Sequence, residues 1–489
     1  LAKQYISDVI TQSEIAKWKP RDRILIHSQT GTGKSQWVKD PLRDYAVKIN
    51  KKILMFSNRS ALKKQNMLEL GDEQKTITLK NYQSLESAII YGNEIDNLLS
   101  NFFIIVFDEC HYLLNDSVFN KNTDLLINKL KFPNKDKIFI FITATPQAIL
   151  SYHSTFEYTY SLPTDYSYIK NIYFYSKTET INNILHTIPN DDQALYFGNA
   201  MESYDLHNLF KDSSNFICSD NNIGFSRKSS KRIIEQIEKE SRFDNKILFS
   251  TKILDNGINL IAPKLKHIII DMLNPIDVVQ CLGRKRIVNE DDYINLYIKN
   301  FHKGEALFQI KKIKSIMAYV DELNELGQEE FSKKYNRVDI DNIIHKDYTI
   351  NYAKYYYLKF MRTTLYRILD DKENLGYKKE IMGLLQLDIN KVKIAESYYE
   401  AVQIKDIMDK YAEKKLFRDG ELDNFRTEFF ENLFSPQRTR DIRNRGYKTI
   451  NSILEEDNLP YCIKSTKETG GENKCQHYWY IHIMEEKDG

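Results

Sequence analysis

The sequence predicts an α/β protein of two consecutive parallel-sheet domains, then a mainly helical region, then a small C-terminal module ending in a β-hairpin. Three observations carry this. From Arg23 to Ile298, short and almost wholly apolar runs alternate with amphipathic stretches, and unbroken apolar runs fit strands buried on both faces of a parallel sheet. Beyond about Lys303 the character changes, and residues 305–430 show apolar positions at helical spacing with almost no strand signal. Two β-like segments, Tyr461 to Lys467 and Gln476 to Ile483, then flank Gly470-Gly471, a natural hairpin turn.

Taken in order, the strand candidates of the first domain are Ile24 to Ile26, Ile53 to Phe56, Thr76 to Leu79, Phe102 to Phe107 and Ile138 to Ile142. Those of the second are Ile172 to Tyr175, Ala194 to Phe197, Phe216 to Cys218, Ile247 to Phe249, Leu265 to Ile270 and Ile294 to Ile298. The joint between the two falls near Leu150–Asp165, and the expected divisions are 1–160, 161–302, 303–400 and 401–489. Such alternation of strand and helix is the pattern of layered α/β domains.

Composition narrows the class. Of 489 residues, 42% are hydrophobic and 28% charged, the balance of a soluble globular protein able to bury substantial cores. No apolar run approaches the roughly 20 residues needed to span a bilayer. The start Leu1-Ala2-Lys3-Gln4 lacks the order of a signal peptide. Cys110, Cys218, Cys281, Cys462 and Cys475 show no framework spacing, which predicts a reducing, cytoplasmic setting. The net charge is only +2, so a surface for a polyanion must be local. Cys462, Cys475, His477 and His482 match no standard zinc spacing.

Chemistry concentrates in two places. Ser28-Gln29-Thr30-Gly31-Thr32-Gly33-Lys34-Ser35 follows a strand and opens an amphipathic stretch, the context of a phosphate-binding loop. Gly31 and Gly33 allow the backbone N–H groups around Thr32 to wrap phosphates. Lys34 is expected to reach the β/γ-phosphates, and the Ser35 hydroxyl to ligate Mg²⁺. The apolar run Phe103 to Phe107 leads into Asp108-Glu109-Cys110-His111. Carboxylates at the C-terminal end of a strand project where open α/β sheets bind ligands. Asp108 would hold Mg²⁺ through water, and Glu109 would orient or deprotonate the attacking water.

Together with Thr143-Ala144-Thr145-Pro146 after another apolar strand, this series resembles motifs I to III of superfamily 2 DExH-type helicases and translocases. Further segments resemble the family's later motifs in order: Ser57-Asn58-Arg59-Ser60, Tyr82-Gln83-Ser84, Tyr196 to Asn199, Thr251 to Asn259 and Gln280-Cys281-Leu282-Gly283-Arg284-Lys285-Arg286. The last is similar to the form in viral origin-binding helicases, with Ile287 where the common form has its second arginine. Asn259 stands where many relatives have Asp. The resemblance covers about residues 20–300 and implies two RecA-like domains with ATP hydrolysed between them. Arg284, with Arg286 beside it, would stabilise the transferring phosphoryl group from the second domain. Gln280 shares a helix face with Arg284 by its four-residue spacing. His111, Thr143, Thr145 and Gly257 would couple nucleotide state to grip, His111 either by reaching toward Gln280 or as a packed core histidine. No adenine-selecting segment is evident before the glycine loop, so ATP is taken from the family.

For nucleic acid, DNA rather than RNA, the resemblance points to Arg59, Lys63, Tyr82 and Lys252. The basic run Arg438, Arg440, Arg443, Arg445 and Lys448, with a helix and the terminal hairpin behind it, reads either as a solvated face or as a DNA-contacting winged helix. The stretch Lys354 to Arg367 interleaves aromatic and basic residues. The amphipathic-core reading of that stretch outweighs a base-stacking platform. The implied function is strand movement or unwinding driven by ATP with Mg²⁺. The alternative is a nucleic-acid-triggered ATPase switch working with replication or defence proteins, and no membrane is implied.

Overall fold

Runs such as Ile138-Phe139-Ile140-Phe141-Ile142 leave no face for solvent, and the strand they form, Ile138–Thr143, is buried at all six positions. The computed structural model describes residues 4–57, 76–90, 99–118, 120, 122–125, 136–152, 155–220, 222–255, 259–335, 342–371, 373, 375–418, 420–433 and 445–484. They fall into two units, residues 1–171 with 189–391, and residues 172–188 with 392–489.

The first unit contains two parallel sheets. Strands β1 (Arg23–His27), β2 (Ile53–Ser57), β3 (Ile77–Asn81), β4 (Ile104–Asp108), β5 (Ile138–Thr143) and β6 (Tyr158–Ser161) lie in the order β3-β2-β4-β5-β1-β6. Ile24, Ile26, Met55, Val106, Ile140 and Ile142 form its core with Trp18, Trp37 and Val38. Because β4, β5 and β1 are neighbours, the segments leaving their C-terminal ends emerge side by side. Those segments are the Asp108-Glu109 turn, Thr143-Ala144-Thr145 and the glycine loop.

The expected joint at 150–165 is not a plain connector, since β6 pairs in parallel with β1. Its exposure alternates, as suits an edge strand, and Tyr158 and Tyr160 reach Trp18 at 6.5 and 6.2 Å between ring centres. A Tyr-Thr-Tyr-Ser segment carries no apolar run, which is why the sequence pattern passes over it.

Beyond β7 (Ile169–Tyr175), strands β8 (Gln193–Phe197), β9 (Ser214–Ile217), β10 (Ile247–Ser250), β11 (Leu265–Ile270) and β12 (Ile294–Lys299) build a second parallel array ordered β12-β11-β8-β10-β9. The helix Pro275–Leu282 follows β11 and is buried along its whole length. It starts where it does because Pro275 sits at its first turn and Asn274 Oδ1 accepts the Ile276 N–H at 3.1 Å. Helices Lys303–Lys334, broken at Gly327 (φ 73°, ψ 167°), Tyr352–Leu369 and Gly376–Leu385 complete this unit. In the aromatic–basic stretch, Leu358, Phe360, Met361 and Leu365 are buried, and Tyr356 packs edge-on against Tyr152 at 5.0 Å.

The second unit joins the end of β7 and helix Thr178–Thr187 to the C-terminal residues. β13 (Val392–Ile394) pairs with β7, Val392 opposite Ile172. Then come helix Ala395–Tyr411, β14 (Lys415–Phe417), helices Glu421–Glu431 and Tyr447–Glu456, β15 (Tyr461–Lys467) and β16 (His477–Ile483). The last three strands form an antiparallel sheet ordered β14-β16-β15. Met408, Leu416, Phe425, Phe429, Ile450, Leu454, Ile463 and Ile481 fill the space between this sheet and its helices. β13 and β14 are short strands inside residues 305–430, where the sequence carries almost no strand signal; at three residues each, neither is long enough to show alternation.

Glu396, 4% exposed, accepts the backbone N–H groups of Ser176 (2.5 Å) and Lys177 (3.1 Å) and the Thr180 hydroxyl (3.0 Å). It caps helix Thr178–Thr187 from a distant part of the chain, where the helix has no cap of its own. Glu396→Ala strands three donors and should destabilise this unit by about 2 kcal/mol or more. The effect is readable as a fall of several degrees in its unfolding midpoint. Glu396→Gln keeps an acceptor and should recover part of the loss. An unchanged midpoint in the alanine variant would exclude the cap.

Candidate active site

The glycine loop takes the backbone that its glycines permit, with φ of +88° at Gly31 and +81° at Gly33. Thr32 Oγ1 donates to the Gln29 carbonyl at 2.8 Å and closes the turn. Helical structure begins at Lys34, with Ser35 half-buried on its first turn. Ser28, the first residue of the loop, is fully buried and its Oγ has no hydrogen-bond partner. The N-terminal segment backs the loop in a way the sequence did not signal. The Ile6 N–H donates to the Thr32 carbonyl at 3.1 Å, and Trp37 Nε1 to the Ile10 carbonyl at 2.9 Å. Tyr5 lies 3.4 Å from where a Cβ on Gly33 would stand.

Opposite the loop, β4 ends in the carboxylate pair. Lys34 Nζ is 3.1 Å from Glu109 Oε1. Burial by itself would raise Glu109, but Lys34, then His111 and Arg284, outweigh it and hold the carboxyl down to about 2. Asp108 is pushed the other way, to about 7, by burial and by the adjacent Glu109 charge. Glu109 is thus held ionised by the cations around it, while burial and the neighbouring charge disfavour the charged form of Asp108. The Ser35 hydroxyl and the Asp108 carboxylate are hard oxygen donors, and that donor set fits Mg²⁺.

A relay of side chains runs from this pair into the second sheet's domain. Burial lowers His111 to about 4, so the ring is neutral near pH 7. Its Nδ1 lies 3.2 Å from Thr143 Oγ1 and 3.4 Å from Glu109 Oε2. Thr143 Oγ1 also accepts the Thr145 N–H at 3.0 Å, and Gln280 Nε2 donates to Thr145 Oγ1 at 3.2 Å. His111 thus reaches Gln280 through the two threonines, in place of the direct contact suggested by the resemblance. Next on the same helix end, Arg284 is 4% exposed, and its Nε donates to the Gln280 carbonyl at 3.0 Å. Its charge is felt at both Glu109 and His111.

Arg286 Nε donates to Asn259 Oδ1 at 2.9 Å. Burial, then the Arg284 charge, lowers its guanidinium to about 10. Lys285 between them turns into the core and pairs with Asp292 at 2.6 Å. Gly283 approaches the glycine loop closely, with the Thr30 hydroxyl 3.4 Å from its carbonyl. A Cβ there would meet Thr30 Oγ1 at 3.0 Å, so glycine suits the approach.

The expected nucleic-acid residues fare unevenly. Tyr82 is fully buried, stacked 4.6 Å from Tyr112, and its hydroxyl donates to the Asp108 carbonyl. It has no face to offer a nucleic acid, which corrects that assignment. An aromatic at a strand–helix junction reads alike in sequence whether it points out or in. Lys252 forms an ion pair with buried Asp277 on helix Pro275–Leu282. Arg445 is exposed and lies 5.5 Å above the Phe430 ring. Arg59, Lys63, Gly257, Arg438, Arg440 and Arg443 lie outside the described residues. Among the described residues no cluster of three or more His, Cys, Asp or Glu is placed to hold a metal ion, and no helix is long and apolar enough to cross a membrane.

Residues 9–151 match the DEAD/DEAH box helicase family model. No curated protein matches the sequence. Among solved structures, the chain is similar to S. cerevisiae Dbp5 bound to RNA and ADP BeF3, at 15% identity over 59% of this chain and 82% of that one, TM-score 0.42. It is also similar to the DUF1998 helicase MrfA bound to DNA and AMPPNP, at 18% identity over 60% of this chain and 48% of that one, TM-score 0.44. A third is S. tokodaii Xpd4, at 10% identity over 60% of this chain and 95% of that one, TM-score 0.39.

Proposed function

We propose that this chain, an enzyme whose first domain is of the ATP-hydrolysing DEAD/DEAH box helicase kind, couples ATP hydrolysis at the glycine loop to movement along nucleic acid, DNA in preference to RNA. The relay Glu109–His111–Thr143–Thr145–Gln280 carries the reading, since it ties the hydrolytic carboxylate to the helix that presents Arg284. Gly31, Thr32, Gly33 and Lys34 would hold the phosphates, and Ser35 with Asp108 the Mg²⁺. That ion, when bound, neutralises charge on the phosphate oxygens. Lys34 shares its charge with Glu109, so triphosphate drawing Lys34 toward itself would leave Glu109 to orient the attacking water. Arg284 would then steady the charge developing on the phosphoryl group. Any separation of the two domains breaks the Gln280–Thr145 hydrogen bond, so the relay can report nucleotide state to the surfaces that grip a strand.

Among the described residues, the C-terminal order of helix, strand, helices and hairpin supports reading residues 401–489 as a winged helix. The basic run from Arg438 to Lys448 leads into helix Tyr447–Glu456, the candidate for groove contact. The test is ATPase rate across single-stranded, duplex and forked DNA and RNA, paired with strand displacement on the forks. Stimulation by DNA with displacement is the expected result. Brisk stimulated hydrolysis without displacement or translocation would replace the motor with a switch, and equal stimulation by RNA would remove the DNA preference.

A further inference from the structure

Tyr82 plays no part in the hydrolytic reading above, yet it is built against the turn that carries the hydrolytic carboxylate. Its ring is buried in a stack with Tyr112 (4.6 Å), Phe56 (6.0 Å) and Phe107 (6.4 Å), all within 25° of parallel. A ring so packed has one place for its hydroxyl, which donates to the Asp108 carbonyl at 2.8 Å. That carbonyl belongs to the peptide joining Asp108 to Glu109, whose N–H is taken by Asp108 Oδ1 at 3.1 Å. Both polar ends of this one peptide are therefore held.

The residue beyond it needs the hold. Glu109 has φ +51°, in the left-handed region that residues other than glycine avoid. Such a conformation persists only where its surroundings over-determine it. On the far side, the Cys110 N–H donates to the Ile142 carbonyl at 3.0 Å and the Tyr112 N–H to the Glu109 carbonyl at 3.0 Å. On the near side, among the described residues, the Tyr82 hydroxyl holds the peptide oxygen.

We propose that Tyr82 is a positioning residue for Glu109, fixing the Asp108–Glu109 peptide plane and so the direction in which the Glu109 carboxylate is presented to the attacking water. This rests on the reading of Glu109 as the group that acts on water. Tyr82→Phe keeps the stacked ring and removes only the hydroxyl. With saturating nucleic acid it should lower kcat for ATP about three- to tenfold, the worth of one hydrogen bond. KM for ATP should stay within about twofold, because the phosphate loop is untouched. The loss should vanish in a Glu109→Gln background, measured as single-turnover hydrolysis, since two residues acting through one group are not additive.

Ile53→Val supplies the contrast. Ile53 is fully buried in the core with Met55 and outside the stack, so its truncation should lower the unfolding midpoint without lowering kcat. An unchanged kcat in Tyr82→Phe, an additive loss with Glu109→Gln, or an equal loss in Ile53→Val would each overturn the proposal. Lys34→Ala distinguishes failure of the wider reading. If that variant hydrolyses ATP like the parent, the site itself is misassigned. If it is inactive while Tyr82→Phe is normal, only the positioning role falls.

Discussion

Arg284→Ala is expected to lower kcat for ATP hydrolysis about a thousandfold, the lower end of what an arginine aimed at a transferring phosphoryl group provides. The side chain is nearly fully buried and held through Nε by the Gln280 carbonyl, and its charge reaches Glu109. A guanidinium fixed before the reaction costs no reorganisation when charge develops, which is where the rate advantage arises. Affinity for a non-hydrolysable ATP analogue should change far less, because the loop around Lys34 belongs to the other domain. Arg284→Lys should not rescue, since a single ammonium lacks the planar fork. Equal losses of analogue affinity and kcat would demote Arg284 to a binding residue. Unchanged kcat would pass the role to Arg286.

Lys34→Ala is expected to abolish nucleic-acid-stimulated hydrolysis, by at least about a hundredfold, and to weaken nucleotide binding as well. The two effects share a cause. Lys34 Nζ, 8% exposed as a residue and 3.1 Å from Glu109, is in the proposed reading the loop's charge for phosphate, and it also holds Glu109 ionised against burial. Without it the Glu109 pKa should move upward, and activity remaining in the variant should rise with pH as that carboxyl is deprotonated. Titrating the residual rate would reveal the shift. A residual rate independent of pH would show that Lys34 does not set the state of Glu109.

Much of the candidate site's placement was legible because it is local. The glycine loop, Asp108-Glu109 and Thr143-Ala144-Thr145 each follow an apolar strand, so strand recognition places the residue after it. Eleven strands could be read from apolar runs, whereas β6 could not, because its tyrosines alternate with polar residues. β13 and β14 are too short to carry a period. The resemblance names the members of the relay from His111 to Gln280, but not their order of contact, since Thr145 stands 135 residues from Gln280 and no spacing rule connects them. Tyr82 was legible as important and illegible as to why. Its partner is a backbone carbonyl, and main-chain acceptors leave no mark in a sequence. Tyr5 and Ile6 were missed for a like reason, being joined to the loop by a main-chain hydrogen bond and a ring edge.

The union of residues 172–188 with the C-terminal unit has a consequence for biosynthesis. Glu396, the acceptor that completes the first turn of helix Thr178–Thr187, lies 220 residues downstream of Ser176. At roughly 5–20 residues per second, a ribosome supplies it some 10–45 s after the helix itself has been made. In that interval the Ser176 and Lys177 N–H groups and the Thr180 hydroxyl lack the carboxylate that takes them in the finished protein. A chain ended at residue 391 never acquires it. Fragments cut at that point should therefore fray at the first turn of this helix, readable as faster amide exchange there than in the full chain.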